Sequence, residues 1–348
     1  MEHCRPDQVI KGLGGQGLAA LFGAESEGPR IMVRCELDAL PIPESLDIPH
    51  RSQTTSVSHK CGHDGHMAIL AGLAASFGRK RPSRGSVVLL FQPSEETGEG
   101  AERVLRDPKF DSIEPDYVLA LHNLPGFPLE QVIIKSGVFA AASSGLHIHL
   151  EGQTSHAAQP EAGKSPALAI GQLIQQLSAI PQFYTALHEP AQVTVVHARV
   201  GEIAFGTSPG VGDIMVTLRA HSQHVIDLLT ERAVRIGECA ASTFGLEMTS
   251  KSTELFPPTV NDHDVVTVVE DCARKEGLST YRPEQPFAWS EDFGHFTSKY
   301  RGVLFGFGAG ENHPALHHPD YDFPDDLIQP GIRLLESTTR KLLELKHV

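Results

Sequence analysis

The chain has 348 residues, 40% hydrophobic and 21% charged, with 32 Gly, 24 Pro and 5 scattered Cys, which excludes a disordered, collagen-like or disulfide-stapled chain. Lys and Arg number 29 against 43 Asp and Glu, a net charge of −14, and this argues against a nucleic-acid backbone or an anionic membrane surface as partner. At roughly 150 residues per domain, the length suggests about two domains.

The opening Met-Glu-His-Cys-Arg-Pro-Asp has neither the basic start nor the apolar core of a signal peptide. No apolar run reaches the roughly 18 residues of a membrane span, so a cytoplasmic protein is expected. Gly12-x-Gly14-x-x-Gly17 matches the dinucleotide fingerprint letter for letter. That fingerprint needs a strand before it and a helix after it, whereas a helix from Leu18 would meet Gly23 and a turn. A flexible Gly-rich loop is the preferred reading. Residues 17–35 read as two strands joined by a hairpin at Ser26-Glu27-Gly28-Pro29.

Residues 87–91, 117–121 and 303–307 are short apolar runs of the kind that form buried parallel strands. Helical patterns at 67–77, 100–105 and 332–345 separate or flank them. The sum is an α/β domain with a mostly parallel sheet flanked by helices, built from both ends of the chain. The middle differs: strands at 146–150, 192–200, 211–220 and 246–253 and helices at 165–180 and 224–244 give the order βαββαβ of a ferredoxin-like α+β unit. The expected domains are 1–140 with 253–348, and an insert at 141–252. Open strand edges in the insert are natural places for a symmetric dimer contact.

Four segments carry the chemistry. In Cys61-Gly62-His63-Asp64-Gly65-His66, an extended backbone would point Cys61 and His63 to one side and leave Asp64 to orient an imidazole. Glu95 and Glu96 follow a buried strand, and adjacent carboxylates alternate in direction, so one can ligate metal while the other faces the reacting atom. His122 ends a second strand, and His317-His318 lies a loop beyond a third. Ligands collect beyond the carboxyl ends of strands in such sheets, and these donors suffice for two divalent ions if a carboxylate or water bridges them. Of the 19 histidines, most of the others read as surface residues, His347 among them. His147, His149 and His197 read as structural or solvated; His59, His66, His313 and His318 read as pocket lining. His156, in a loop of small residues, reads by itself as surface.

With these residues assembled, the chain resembles the dinuclear metal amidohydrolases of the aminoacylase and carboxypeptidase metallopeptidase family. It resembles specifically the subgroup of hippurate hydrolase, N-acetyldiaminopimelate deacetylase and indole-acetyl-amino-acid hydrolase. Matching stretches are Leu37-Asp38-Ala39-Leu40-Pro41, the Cys61 to His66 run, Phe91-Gln92-Pro93 with Glu95-Glu96, Leu121-His122, Ser155-His156-Ala157-Ala158, Ser290-Glu291-Asp292-Phe293 and Leu316-His317-x-Pro319. The resemblance implies a phosphorylase/hydrolase-like catalytic domain and an inserted lid and dimerisation domain. It implies Cys61, His63, Glu96, His122 and His317 as ligands of two divalent ions (Zn, Mn, Co or Ni), and Glu95 as general base on a metal-bridged water. It also implies that His156 reaches the active site of a partner subunit, so that a homodimer hydrolyses a small amide such as an N-acyl amino acid. A dipeptidase or aminopeptidase with the same metals, and a non-catalytic scaffold, stand as alternatives. Two departures bear on this: Gly206 stands where the family usually has an Asn that holds the substrate carboxylate, and the family's opening helical segment has no counterpart. The second leads to the expectation of a truncated chain, or of one lacking part of the catalytic domain, with lowered stability or activity.

Overall fold

The computed structural model describes residues 2–23 and 27–345. Ser26 of the expected hairpin turn and His347 lie outside the described residues. The chain forms two compact units: Met1–Phe139, Thr259–Phe287 and Glu291–Val348 make the first, and Ala140–Pro258 and Ala288–Ser290 the second.

The first unit opens with a hairpin of β1 (Gln8–Leu13) and β2 (Gly17–Phe22). The Gly-rich stretch is its turn, not a free loop, and the Gly14 N–H donates to Asp107 Oδ2 at 3.0 Å. No helix follows it, so the context of the dinucleotide fingerprint is absent here. The expected hairpin between β2 and β3 (Arg30–Glu36) does not form. β4 (Ser86–Gln92) lies between them, antiparallel to β2 and parallel to β3. β4 is buried at every residue, and a strand buried on both faces in mid-sheet needs a hydrogen-bonding neighbour on each edge. Next come α1 (His63–Arg79), which precedes β4 in the chain, then α2 (Gly100–Arg106), β5 (Tyr117–Leu124), β6 (Val132–Ile133) and β7 (Gly137–Ala140).

The second unit contains β8 (Ala142–Glu151), β9 (Ser155–His156), α3 (Ala167–Tyr184), β10 (Ala191–Val200), β11 (Thr207–Ser208), β12 (Val211–Ala220), α4 (Gln223–Phe244) and β13 (Glu247–Phe256). Its four-stranded sheet has the order β10-β12-β8-β13, antiparallel throughout, which is the ferredoxin-like arrangement. Leu146, Ile148 and Leu150 of β8 and Ile214, Val216 and Leu218 of β12 point to one face, against Leu173 and Leu177 of α3 and Leu229 of α4. β13 runs on to Phe256.

The chain then returns to the first unit through β14 (Thr259–Asn261), α5 (His263–Lys275), β15 (Thr280–Tyr281), α6 (Gly294–Thr297), β16 (Arg301–Gly308) and α7 (Ile328–Leu343). The large sheet has the order β1-β2-β4-β3-β5-β16-β6-β15, and its central β4, β3, β5 and β16 run parallel. Ile69, Leu73 and Phe77 of α1, Val265 and Val269 of α5, and Leu334, Leu335 and Leu342 of α7 share one core with Val33, Leu89, Leu119 and Phe305 of those strands. Each such side chain contributes about 1.5–3 kcal/mol on burial. β3 has β4 on one side and β5 on the other, so the winding reverses there, which is where open α/β sheets hold ligands. Among the described residues, no helix is long and apolar enough to cross a membrane.

Asp262 caps α5 by accepting from the Asp264 and Val265 N–H groups, and it pairs with Arg301 at 2.8 Å. Burial alone would raise its pKa, but Arg301 and the cap bonds outweigh burial and hold it below the usual Asp range. A lowered pKa means stability that is present above that range and lost as pH falls through the folded value. Asp262→Ala should therefore lower unfolding stability at neutral pH by about 1 kcal/mol. In denaturant titrations, its gap from the wild type should close in acid.

Candidate metal centre

Cys61 and His63 meet for a different reason from the one expected. Gly62 is left-handed at φ 85° and forms the N-cap of α1, so His63 is already the first helical residue. A side chain at Gly62 would be strained by that φ, and its Cβ would lie 2.7 Å from the Asn123 amide group. Among the described residues Asp64 has no hydrogen bond to an imidazole; it accepts from the Gly65 N–H at 3.0 Å.

Glu95 and Glu96 follow a turn in which Ser94 also takes a positive φ of 57°. The start of α2 packs so close that a Cβ on Gly100 would fall 1.7 Å from the Pro93 carbonyl oxygen. The two carboxylates do not part as alternation suggested, because Glu95 Oε2 and Glu96 Oε1 each stand 4.0 Å from His63 Nε2. The turn rather than strand geometry sets their directions. His122 projects from the end of β5 with Nε2 3.6 Å from Cys61 Sγ. His317, in the loop after β16, takes a positive φ of 65°, and its N–H donates to the Lys60 carbonyl. Its Nε2 is 3.5 Å from Glu96 Oε1.

Three overlapping sets, Cys61/His63/His122, Cys61/Glu96/His317 and His63/Glu95/Glu96, each keep their donor atoms within 4.8 Å of one another. Six of the seven residues singled out from the sequence therefore gather at the carboxyl ends of the parallel strands. His156 is not in these sets. It lies exposed in β9 of the second unit, opposite Thr207 of β11, with its Nδ1 accepting from the Ala158 N–H at 3.1 Å. The Ala157 N–H donates to the Gly206 carbonyl at 3.0 Å.

Hydrogen bonds fix the orientation of the imidazoles. His63 Nδ1 donates to the Asp38 carbonyl at 2.9 Å, and His122 Nδ1 to the Asn123 carbonyl at 2.9 Å. Since a carbonyl only accepts, each ring turns Nε2 toward the donor cluster. His66 is engaged at both ends: its Nε2 accepts from the Asn123 N–H at 3.2 Å, and its Nδ1 donates to Glu36 Oε2 at 2.7 Å. It supports the site instead of lining it.

The site is short of positive charge. Burial alone would lower His63, but Asp38, Glu36 and Glu96 outweigh burial and hold it up to about 9. His122, buried beside His66, falls to about 3. Burial, with Glu96 and Glu95 nearby, pushes the Cys61 thiol well up. Burial, Glu291 and Asp292 push the Glu95 carboxyl up in the same way. His63 Nε2 and Glu96 Oε1 are buried with no hydrogen-bond partner among the described residues, a costly state for polar atoms unless something binds them. A thiolate, imidazoles and carboxylates at this spacing fit divalent transition ions.

Several supporting residues carried no role in the sequence reading. Arg34, fully buried, pairs with Glu36, with Glu291 at 2.8 Å and with Asp292 at 2.6 Å, and its Nε donates to Gln92 at 2.9 Å. Asp38 accepts from the Glu96 N–H at 2.9 Å while its other oxygen lies 3.7 Å from His63 Nδ1. The available signal was the charged pair Arg34 and Glu36 inside a strand otherwise apolar enough to be buried on both faces.

Fold and donor set together define a metallopeptidase-like hydrolase with an inserted ferredoxin-like unit. Residues 32–341 match peptidase family M20/M25/M40, and the chain belongs to that family. It is 32% identical over 329 residues to the N-acetyl-L-cysteine deacetylase of Bacillus subtilis, covering 94% of this chain and 78% of that one. It is 29% identical over 324 residues to the hippurate hydrolase of Campylobacter jejuni, covering 92% and 84%. Among solved structures, a dinuclear metal-binding peptidase of the M20 family from Bacillus subtilis matches with a TM-score of 0.81 at 22% identity, over 99% of this chain and 90% of that one. An aminobenzoyl-glutamate utilization protein from Klebsiella pneumoniae matches with a TM-score of 0.73 at 20% identity, over 93% and 74%. The protein is thus a hydrolase of this family.

Gly62→Ala should cost about 1–2 kcal/mol from the left-handed backbone, with more from the clash with Asn123. Thermal unfolding and metal analysis should show a less stable protein that retains fewer equivalents of zinc after dialysis.

Proposed function

We propose that the protein hydrolyses the amide bond of N-acyl amino acids or similar small amides, with Glu95 carrying the proton. Cys61, His63, Glu96, His122 and His317 hold two divalent ions of the Zn, Mn, Co or Ni group. The observation that carries this reading is the position of Glu95, buried beside the donor cluster and facing the same imidazole nitrogen as Glu96.

When bound, the ions supply a water of lowered pKa and polarise the carbonyl oxygen of the substrate. Glu95 takes a proton from the attacking water and returns it to the leaving nitrogen, giving a carboxylate and a free amine. Its surroundings suit a group that must hold a proton in mid-reaction, because burial and the neighbouring Glu291 and Asp292 favour the neutral carboxyl. The Asp292 N–H, 3.4 Å from Glu95 Oε1, helps to orient the side chain. Asp38 steadies both His63 and the backbone of Glu96.

In the same reading, the unit Ala140–Pro258 is the lid and dimerisation domain. Its His156 stabilises developing oxyanion charge at the site of the partner subunit, a contribution of about 3 kcal/mol for one donor. Support comes from the exposure of His156 and from β10, which ends the four-stranded sheet with an open edge. A reducing, cytoplasmic setting also belongs to it, because the thiolate ligand Cys61 has to stay unpaired, as it is here. The names of the deacetylase and hippurate hydrolase relatives support N-acyl amino acids as substrates.

Glu95→Gln should keep its metal and lose activity by a factor of about 10²–10⁴ or more. Turnover should be followed over N-acetyl, N-benzoyl and indole-acetyl amino acids and dipeptides, with metal content measured on the same samples. Preference for dipeptides would make the enzyme a peptidase; undiminished turnover in the variant would remove Glu95 from the reaction.

A further inference from the structure

The outward face of the second unit's sheet carries a donor cluster that the hydrolytic reading does not use. Alternation along β8 turns Leu146, Ile148 and Leu150 into the core and leaves His147 and His149 on the opposite face. The antiparallel register with β12 sets Asp213 directly opposite His149. Both imidazoles donate to one carboxylate oxygen, His147 through Nε2 at 2.9 Å and His149 through Nδ1 at 2.8 Å to Asp213 Oδ1. All three donor atoms lie within 4.8 Å of one another. The side chains are 34%, 35% and 21% exposed, so they are held in place yet open to solvent.

We propose that His147, His149 and Asp213 form a second binding site, distinct in its residues from the hydrolytic centre, for a divalent transition-metal ion such as Zn, Ni or Cu. Ligand atoms about 2.1 Å from an ion and at right angles to each other are about 3 Å apart. The nitrogen-to-oxygen separations already match that edge. Residues two apart on a strand are nearly 7 Å apart along the backbone, and the two rings close that gap by offering different nitrogens, Nε2 from one and Nδ1 from the other. Two histidines and one carboxylate leave the remaining positions to water, so the ion exchanges with solvent. Binding replaces two N–H···O bonds by two nitrogen-to-metal bonds, and each displaced ring proton goes to the ring's other nitrogen or to solvent. Lys251 stands opposite His147 on β13. Arg199 stands opposite Asp213 on β10, with its own charge paired to Glu202 at 2.7 Å. These cations temper the affinity without filling the site.

The test is a calorimetric titration with Ni²⁺ of the full chain loaded with zinc and then dialysed, so that an ion open to solvent exchange at the second site has left while the buried hydrolytic centre stays filled. Wild type should take up one further equivalent. His149→Asn and Asp213→Asn should each weaken that uptake by more than the roughly 10- to 100-fold that even an outer partner of a ligand costs, with hydrolytic activity marking a folded protein. Met215→Glu, which adds a carboxylate opposite His147 and removes no ligand, should tighten it. No further equivalent in wild type, equal uptake by the Asn variants, or no tightening in Met215→Glu would overturn the proposal. None of these outcomes bears on Glu95 or on the first centre.

Discussion

The first unit is organised around an imbalance of buried charge. Buried Glu36, Glu95, Glu291 and Asp292 and half-buried Asp38 and Glu96 converge at one end of its sheet, where like charges repel strongly. Arg34 compensates Glu36, Glu291 and Asp292 from within β3. On the other side, where Glu95, Glu96 and Cys61 face His63, His122 and His317, Arg34 still favours the Glu95 carboxylate, but burial, Glu291 and Asp292 outweigh it. Its groups respond as crowded anions do, with the Cys61 thiol and the Glu95 carboxyl pushed up and His63 held up to about 9. A bound cation relieves all three at once, which is why a metal centre is the most economical reading of this geometry.

Placing those groups takes unfavourable backbone at several points. Gly62, Ser94 and His317 all adopt positive φ within or beside the site, and such a conformation costs of order 1–3 kcal/mol for residues that bear side chains. The parallel strands and the core of α1, α5 and α7 supply the stability that offsets it. The result is that segments far apart in sequence deliver their donors to one point beyond the ends of β3, β4 and β5.

Sequence reading reached the segments that gather at the candidate site because their signal is local: an apolar run followed at once by His, Glu or Cys-x-His. It misjudged how Cys61 and His63 meet, since a left-handed Gly62 has no periodicity to betray it. Pairing β2 with β3 failed for a different reason, because β4 enters from more than fifty residues downstream and short-range turn chemistry says nothing about it. The role of Arg34 was equally hidden, as its three carboxylate partners are spread from Glu36 to Asp292. His147 and His149 were legible as neighbours on one strand face, but Asp213 joins them only through the register of β8 and β12. His156 took its assigned role from the family resemblance alone, and its own surroundings are those of a surface residue.

The most direct measurement is X-ray absorption at the zinc edge of the zinc-loaded protein. A centre built on Cys61, His63, Glu96, His122 and His317 requires one sulfur neighbour at about 2.3 Å among nitrogen and oxygen neighbours at about 2.0–2.2 Å. It also requires a metal-to-metal distance of about 3.5–4 Å, and Cys61→Ser should remove the sulfur signal. A spectrum with only nitrogen and oxygen neighbours and no second metal would contradict a dinuclear centre at this site.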